Sequence, residues 1–190
     1  MPRPKTQTDG DLLEAAHRLI HEEGPDALTF ARMSEVCGLS PSTLVQRFKT
    51  KAGLLQQTLL RAWDKLDDRT TALAAKVPPT ADGAITLLVA LSRNYGGIET
   101  YADGLLILRE DFRDPMVRAR GAAWKIALCK ALDGCFTTIP NAPAGIGMLL
   151  AAQWQGLLLW WGFDPQESVE HYVEGGLTRF VAALTAPNSI

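Results

Sequence analysis

The 190-residue sequence predicts an all-α protein. Apolar residues recur at three- and four-residue spacing along most of the chain, the repeat of helices with one buried face. These runs are separated by strong stop and start signals: Gly24-Pro25, Pro78-Pro79, Gly96-Gly97, Asp114-Pro115 and Asp164-Pro165. A long apolar-periodic run from Lys51 to Val77 then joins two bodies, so a small three-helix domain with a helix-turn-helix is expected over residues 1–50. A larger helical domain is expected over residues 51–190.

With 47% hydrophobic and 21% charged residues the composition is that of an ordinary globular protein. The net charge of −2 excludes a generally basic nucleic-acid coat, so any contact with DNA must come from a local patch. Such a patch exists. Residues 1–39 hold Arg3, Lys5, Arg18 and Arg32 against seven acids, whereas residues 40–51 hold Arg47, Lys49 and Lys51 and no acid. Cys37, Cys129 and Cys135 form no CxxC pair and are odd in number, which points to reduced thiols in a cytoplasmic protein. No apolar stretch follows the basic N-terminus, so no secretory signal is expected. Residues 144–163 lack charge and are long enough to span a bilayer. Gln153 and Gln155 near their centre, and the absence of flanking cations, favour a buried helix instead.

In chain order, residues 1–8 read either as a flexible arm that offers Arg3 and Lys5 to phosphate or a minor groove, or equally as a disordered tag-like end. A first helix runs from Asp9 or Asp11 to Glu23, with Leu12, Ala16, Leu19 and Ile20 on its inner side. His17 and His21 lie four apart on the other side. That spacing suits a metal, but a third ligand is missing nearby, so they read as solvated and no metal site is expected. A second helix opens at Thr29 and buries Met33, Val36 and Cys37 before Gly38 permits a tight turn. Ser40 caps the next helix and Pro41 occupies its first position. Leu44 and Phe48 face the core, leaving Ser42, Thr43, Gln46, Arg47 and Lys49 as a polar, cationic face fit for DNA.

Asp11 to Leu55 resembles the N-terminal DNA-binding domain of the TetR family of bacterial transcriptional regulators. The matching stretches are LLEAAHRLIHEEG, LTFARMSEVCGLS, STLVQRF and TKAGLL, in which Gly38, Phe48 and Lys51 occur together. The resemblance implies that Thr29, Arg32, Ser40, Pro41, Lys51 and the outer face of the recognition helix contact a double-stranded operator. Two departures fall on contact positions: Val45 stands where the family usually has an aromatic residue, and Arg47 where it often has histidine. Val45 cannot donate a hydrogen bond, while Arg47 can grip a phosphate or a guanine edge with two. Gly53 weakens the first turn of the following helix by about 1 kcal/mol relative to alanine on propensity alone, and equally could ease motion there.

The larger domain should contain helices over about 81–95, 100–111, 115–136, 144–161 and 165–184. Trp63, Tyr95, Tyr101, Phe112, Trp124, Phe136 and Met148 are candidates to line an apolar cavity, with Asn94, Arg109 and Gln153 as polar contacts to a small, mostly apolar ligand. The resemblance further implies that the last two helices form a four-helix homodimer interface. Trp154, Gly156, Leu157, Leu158 and Trp161 on the first, and Tyr172, Gly176 and Phe180 on the second, are the residues expected there. The apolar character of the 144–161 helix on all sides supports this independently. Two recognition helices one DNA turn apart would read a palindrome. No GxSxG, HExxH, P-loop or complete GxGxxG is present, so neither an enzyme nor a cofactor is expected. The expected function is a ligand-responsive repressor. The alternative is a helical small-molecule-binding or scaffold protein that has lost operator binding.

Overall fold

A computed structural model describes residues 7–186, apart from the side chain of Asn94, and its α-helices account for all the long elements among them. They are α1 Asp9–Glu23, α2 Phe30–Cys37, α3 Pro41–Phe48, α4 Lys51–Ala74, α5 Ala81–Ser92, α6 Ile98–Arg113, α7 Pro115–Gly134, α8 Ile146–Phe163 and α9 Val169–Thr185. The fold class is as expected. Arg3 and Lys5 lie outside the described residues.

Most starts are where the sequence puts them, because the cap side chains do their work. Thr8 and Asp11 close a capping box on α1, and the Thr29, Ser40 and Thr80 hydroxyls accept backbone N–H bonds at the starts of α2, α3 and α5. Asp114 accepts from the N–H groups of Met116 and Val117 at the start of α7. The last start differs. Asp164 receives the side-chain amide of Gln166, and Ser168 supplies the cap, so α9 opens at Val169 rather than Pro165.

The chain divides into two compact units, residues 1–65 with 103–121, and residues 66–102 with 122–190. The first is wider than the 1–50 domain expected from the sequence, because the start of α4 and parts of α6 and α7 belong to it. Its core gathers Leu12, Ala16, Leu19, Ile20, Leu28, Met33, Leu44, Phe48, Leu54 and Leu59, joined by Ile107 and Val117. Leu44 and Phe48 are inaccessible to solvent, which fixes which side of α3 points outward. The residue after α3, Lys49, has φ 66°, and Thr50 N–H donates back to the Phe48 carbonyl. α4 therefore leaves almost on top of the end of α3. A Cβ on Gly53 would lie 2.7 Å from the Phe48 carbonyl oxygen, so the glycine is there for close approach and not for looseness.

In the second unit α9 packs on both α5 and α8. Leu87, Leu88 and Leu91 of α5 are buried in this unit, as are Leu150, Trp154, Leu157, Leu158 and Trp161 of α8 and Val173, Leu177 and Val181 of α9. The Trp154 indole N–H donates to the Ser92 hydroxyl (2.8 Å), which itself donates to the Leu88 carbonyl. The Trp124 N–H similarly reaches Thr70 Oγ1 at 3.0 Å. Large aromatic surfaces are thereby buried without abandoning their polar atoms. No helix among the described residues is long and apolar enough to cross a membrane.

Gly53→Ala should lower stability in urea melts by about 1–3 kcal/mol through overpacking, opposite in sign to the gain that helix propensity alone assigns. Asp111 has one buried carboxylate oxygen without a hydrogen-bond partner, and burial pushes its pKa from 3.8 up to about 6 against a hydrogen bond from the Trp63 side chain. The folded state then holds this proton to higher pH than the unfolded state, so stability falls as pH rises between those values and the loss is complete above them. Asp111→Asn should therefore stabilise the protein at neutral pH by about 1–2 kcal/mol, after allowing for solvent access, and confer no gain below about pH 4.

Candidate functional site

The outward face of α3 follows from how its inner face is held. With Leu44 and Phe48 buried, Pro41, Ser42, Val45, Gln46 and Lys49 are exposed and Thr43 is half-buried. Gly38 has φ 71°, the left-handed conformation that ends α2 and turns the chain toward α3. Ser40 Oγ accepts from Thr43 N–H and lies 2.9 Å from the hydroxyls of Ser42 and Thr43. Thr29 Oγ1 accepts from Arg32 N–H at 3.1 Å. No acidic side chain lies on α3.

The cations of this region are held by the protein itself, which the sequence did not disclose. Arg47 bends back, and its Nη1 donates to the Gln7 carbonyl at 2.9 Å and pairs with Asp9 at 3.0 Å, leaving its side chain only 28% exposed. Arg32 is gripped by Glu23 and Glu35. Lys49 Nζ donates to the Gln46 carbonyl, and Lys51 Nζ to the Asp26 carbonyl. These lysine bonds sit at the surface and are easily exchanged. The arginines carry counter-charges as well.

Residues 12–58 match the family model described as bacterial regulatory proteins, tetR family. The N-terminal domain is a TetR-family domain. No curated protein matched the sequence. Among solved structures, a proposed TetR-family transcriptional regulator from Mesorhizobium loti is 18% identical, over 96% of this chain and 98% of its own, with a TM-score of 0.70. A proposed regulator from Saccharomonospora viridis, determined in complex with choline, is 20% identical over 91% of this chain and 94% of its own, with a TM-score of 0.72. A third from Pseudomonas aeruginosa is 15% identical over 97% and 93%, with a TM-score of 0.73. The TetR-type fold thus extends over nearly the whole chain.

Beyond the TetR-family domain, the residues expected to line one cavity do not all come together. Tyr95, Tyr101 and Trp124 belong to a chain of rings in the second unit, with Trp154 and Trp161. Successive centroids from Trp124 through Trp154, Tyr95 and Tyr101 to Trp161 lie 6.5, 6.4, 5.5 and 6.0 Å apart. Phe136 is buried in the same unit and Gln153 is half-buried. Burial pushes the Tyr95 phenol up to about 12 and raises that of Tyr101. Trp63, Arg109 and Phe112 lie in the first unit, where Phe112 is 61% exposed and the Arg109 side chain is exposed too. Met148 is also exposed, with its sulfur beside the Cys129 thiol. These three exposed side chains line no interior site.

The expected dimer residues need a correction of face. Trp154, Leu157, Leu158 and Trp161 are buried within the single chain, and Gly176 is covered by Leu157. A helix apolar on every side gives no sequence signal for which stripe turns inward. The outward stripe of α8 is Met148, Leu149, Ala152, Gln155, Leu159, Trp160 and Phe163, with Gly156 half-buried at its edge and with Trp160 65% and Phe163 76% exposed. Tyr172 and Phe180 on α9 are half-buried.

The sequence also misjudged the histidines and overlooked three polar residues. His17 and His21 are half-buried, with ring centroids 4.6 Å apart. Burial first, and then the neighbouring ring, lowers His17 to about 4; burial also lowers His21 against the pull of Asp103. Neither is a solvated surface group. The overlooked residues are Arg69, Thr70 and Ser92, all engaged inside the second unit. Their signal was the gap in the stripe Leu66–Leu73 of α4, where two polar residues take the inward positions.

Releasing Arg47 tests the counter-charge directly. Asp9→Asn should strengthen binding to a generic duplex several-fold at low salt and steepen the dependence on log salt by about 1, as read by fluorescence anisotropy.

Proposed function

We propose that this chain is a ligand-responsive transcriptional repressor that binds a palindromic operator as a homodimer in the cytoplasm and performs no catalysis. The observation that carries the reading is the exposed, acid-free face of α3, Ser42, Val45, Gln46 and Lys49, on a TetR-family domain. Thr29, Ser40, Thr43 and Lys51 border it and offer hydroxyl and ammonium donors to phosphate. Gln46 suits an adenine edge and Val45 a thymine methyl, so base readout replaces the phosphate bond that an aromatic hydroxyl would give. Three free thiols agree with a reducing compartment.

A second copy of the chain would cover the outward stripe of α8, which is too apolar to remain in water, with Tyr172 and Phe180 of α9 beside it. The choline complex of the Saccharomonospora viridis neighbour supports a small-molecule ligand for this chain too. For such a ligand to release DNA it must bind the non-DNA-binding conformation more tightly.

The held cations and Val45 favour one other reading, a helical binding protein without an operator. Selection from a randomised duplex library, followed by gel shift, separates the two. Enrichment of a palindrome whose binding weakens at least tenfold in Arg47→Ala supports the repressor; no shift at low salt from an intact dimer supports the alternative. Trp160→Glu should convert the dimer to monomer in sedimentation and abolish the palindrome shift while leaving helix content unchanged.

A further inference from the structure

One cation lies on the inward side of α4. Leu66, Arg69, Thr70 and Leu73 follow one another at the spacing of a single helix face, and Thr70 is buried. Arg69 Nη2 donates to the Ala90 carbonyl at 2.6 Å, in the last turn of α5. Its Nη1 is shut off from solvent and has no hydrogen-bond partner. Among the described residues no carboxylate forms an ion pair with Arg69. The charged neighbour that acts on it is Arg93, of the same sign, and the Tyr95 phenol, which bonds the Gln155 side chain, also acts on it.

This is an unusual place to leave a guanidinium. It stays charged under any ordinary condition, and a buried donor without an acceptor carries a desolvation penalty that no contact offsets. The carbonyl end of α5 answers part of the charge, and Arg93 adds to what is left. A water molecule would supply a hydrogen bond without any negative charge. An anion supplies both. Tyr95 meanwhile belongs to the ring chain, 5.5 Å from Tyr101 and 6.4 Å from Trp154 between centroids. A quaternary ammonium would suit such rings, but Arg69 and Arg93 repel it.

We propose that the second unit binds an aromatic carboxylate, whose charged end accepts from Arg69 Nη1 and whose ring lies beside Tyr95. The proposal gives chemical identity to the ligand of the repressor reading and rests on that reading only for its effect on DNA. A guanidinium N–H and a carboxylate form a short charge-assisted bond, so the acid end fixes orientation and the ring contributes apolar contact.

Sodium benzoate is the probe and benzamide its neutral counterpart, titrated into the full-length protein at constant ionic strength with tryptophan fluorescence and thermal unfolding as readouts. Benzoate should quench fluorescence saturably and raise the midpoint of unfolding, and benzamide at equal concentration should do neither. Arg69→Met should weaken the benzoate response at least tenfold; should that variant lose its helical circular dichroism, Arg69→Lys keeps the charge, offers one nitrogen where two are needed for Ala90 and the carboxylate, and should weaken it several-fold. Equal responses to both compounds, a response to neither, or a benzoate response unchanged in the folded Arg69 variants overturns the proposal. No DNA is present in these titrations, so they succeed or fail separately from the operator selection.

Discussion

Leu44 and Phe48 sit without solvent contact among Leu12, Ala16, Leu19, Ile20, Met33 and Leu54, and the geometry of the TetR-family domain depends on that seating. α3 is only eight residues long, too short to hold its shape by backbone bonding alone. Its rotation about its own axis is set by two side chains four residues apart, and its start by Ser40 and Pro41. Burying that pair is what turns Ser42, Val45, Gln46 and Lys49 outward together. Loss of either side chain would free the helix to roll and scatter the face, whatever became of the polar residues themselves.

The two units handle charge in different ways. Around α3 the cations lie at the surface with partners already in place, so binding a polyanion means exchanging one set of contacts for another. In the second unit Arg69 has an acceptor for Nη2 and none for Nη1, whereas the indole N–H groups of the same unit are provided for. Ser92 and Thr70 show how carefully the indole N–H groups of Trp154 and Trp124 are matched. Against that background an unmatched guanidinium nitrogen stands out as a feature of binding chemistry rather than of folding.

Most of the architecture was legible because its signals are local. Caps at Thr29, Ser40 and Asp114, and breaks at Gly24, Pro78 and Gly96, act within a few residues of themselves, and the helix order followed from them. Where competing local partners existed the boundary moved, as when Gln166 occupied Asp164 and Ser168 took over as cap. What the sequence hid is longer in range. Nothing near Arg47 in sequence announces Asp9, which lies 38 residues away. The inward stripe of α8 was equally hidden, since a periodic signal needs a polar side for contrast, and Trp154 and Trp160 look alike until a neighbour covers one of them. Gly53 was misread for a related reason: propensity describes an isolated helix, and the Phe48 carbonyl belongs to the preceding one.

That last contact bears on how the DNA-facing surface can be moved at all. Thr50 ties the end of α3 to the start of α4 through its own N–H to the Phe48 carbonyl, through its hydroxyl to Gly53 N–H and through its carbonyl to Leu54 N–H. No slack separates the two helices. A recognition surface joined in this way has no private swivel, and it turns only when the first turns of α4 turn with it. Control of α3 therefore passes to whatever tilts that longer helix, making the α3–α4 corner a rigid elbow whose angle is preserved while its position is changed.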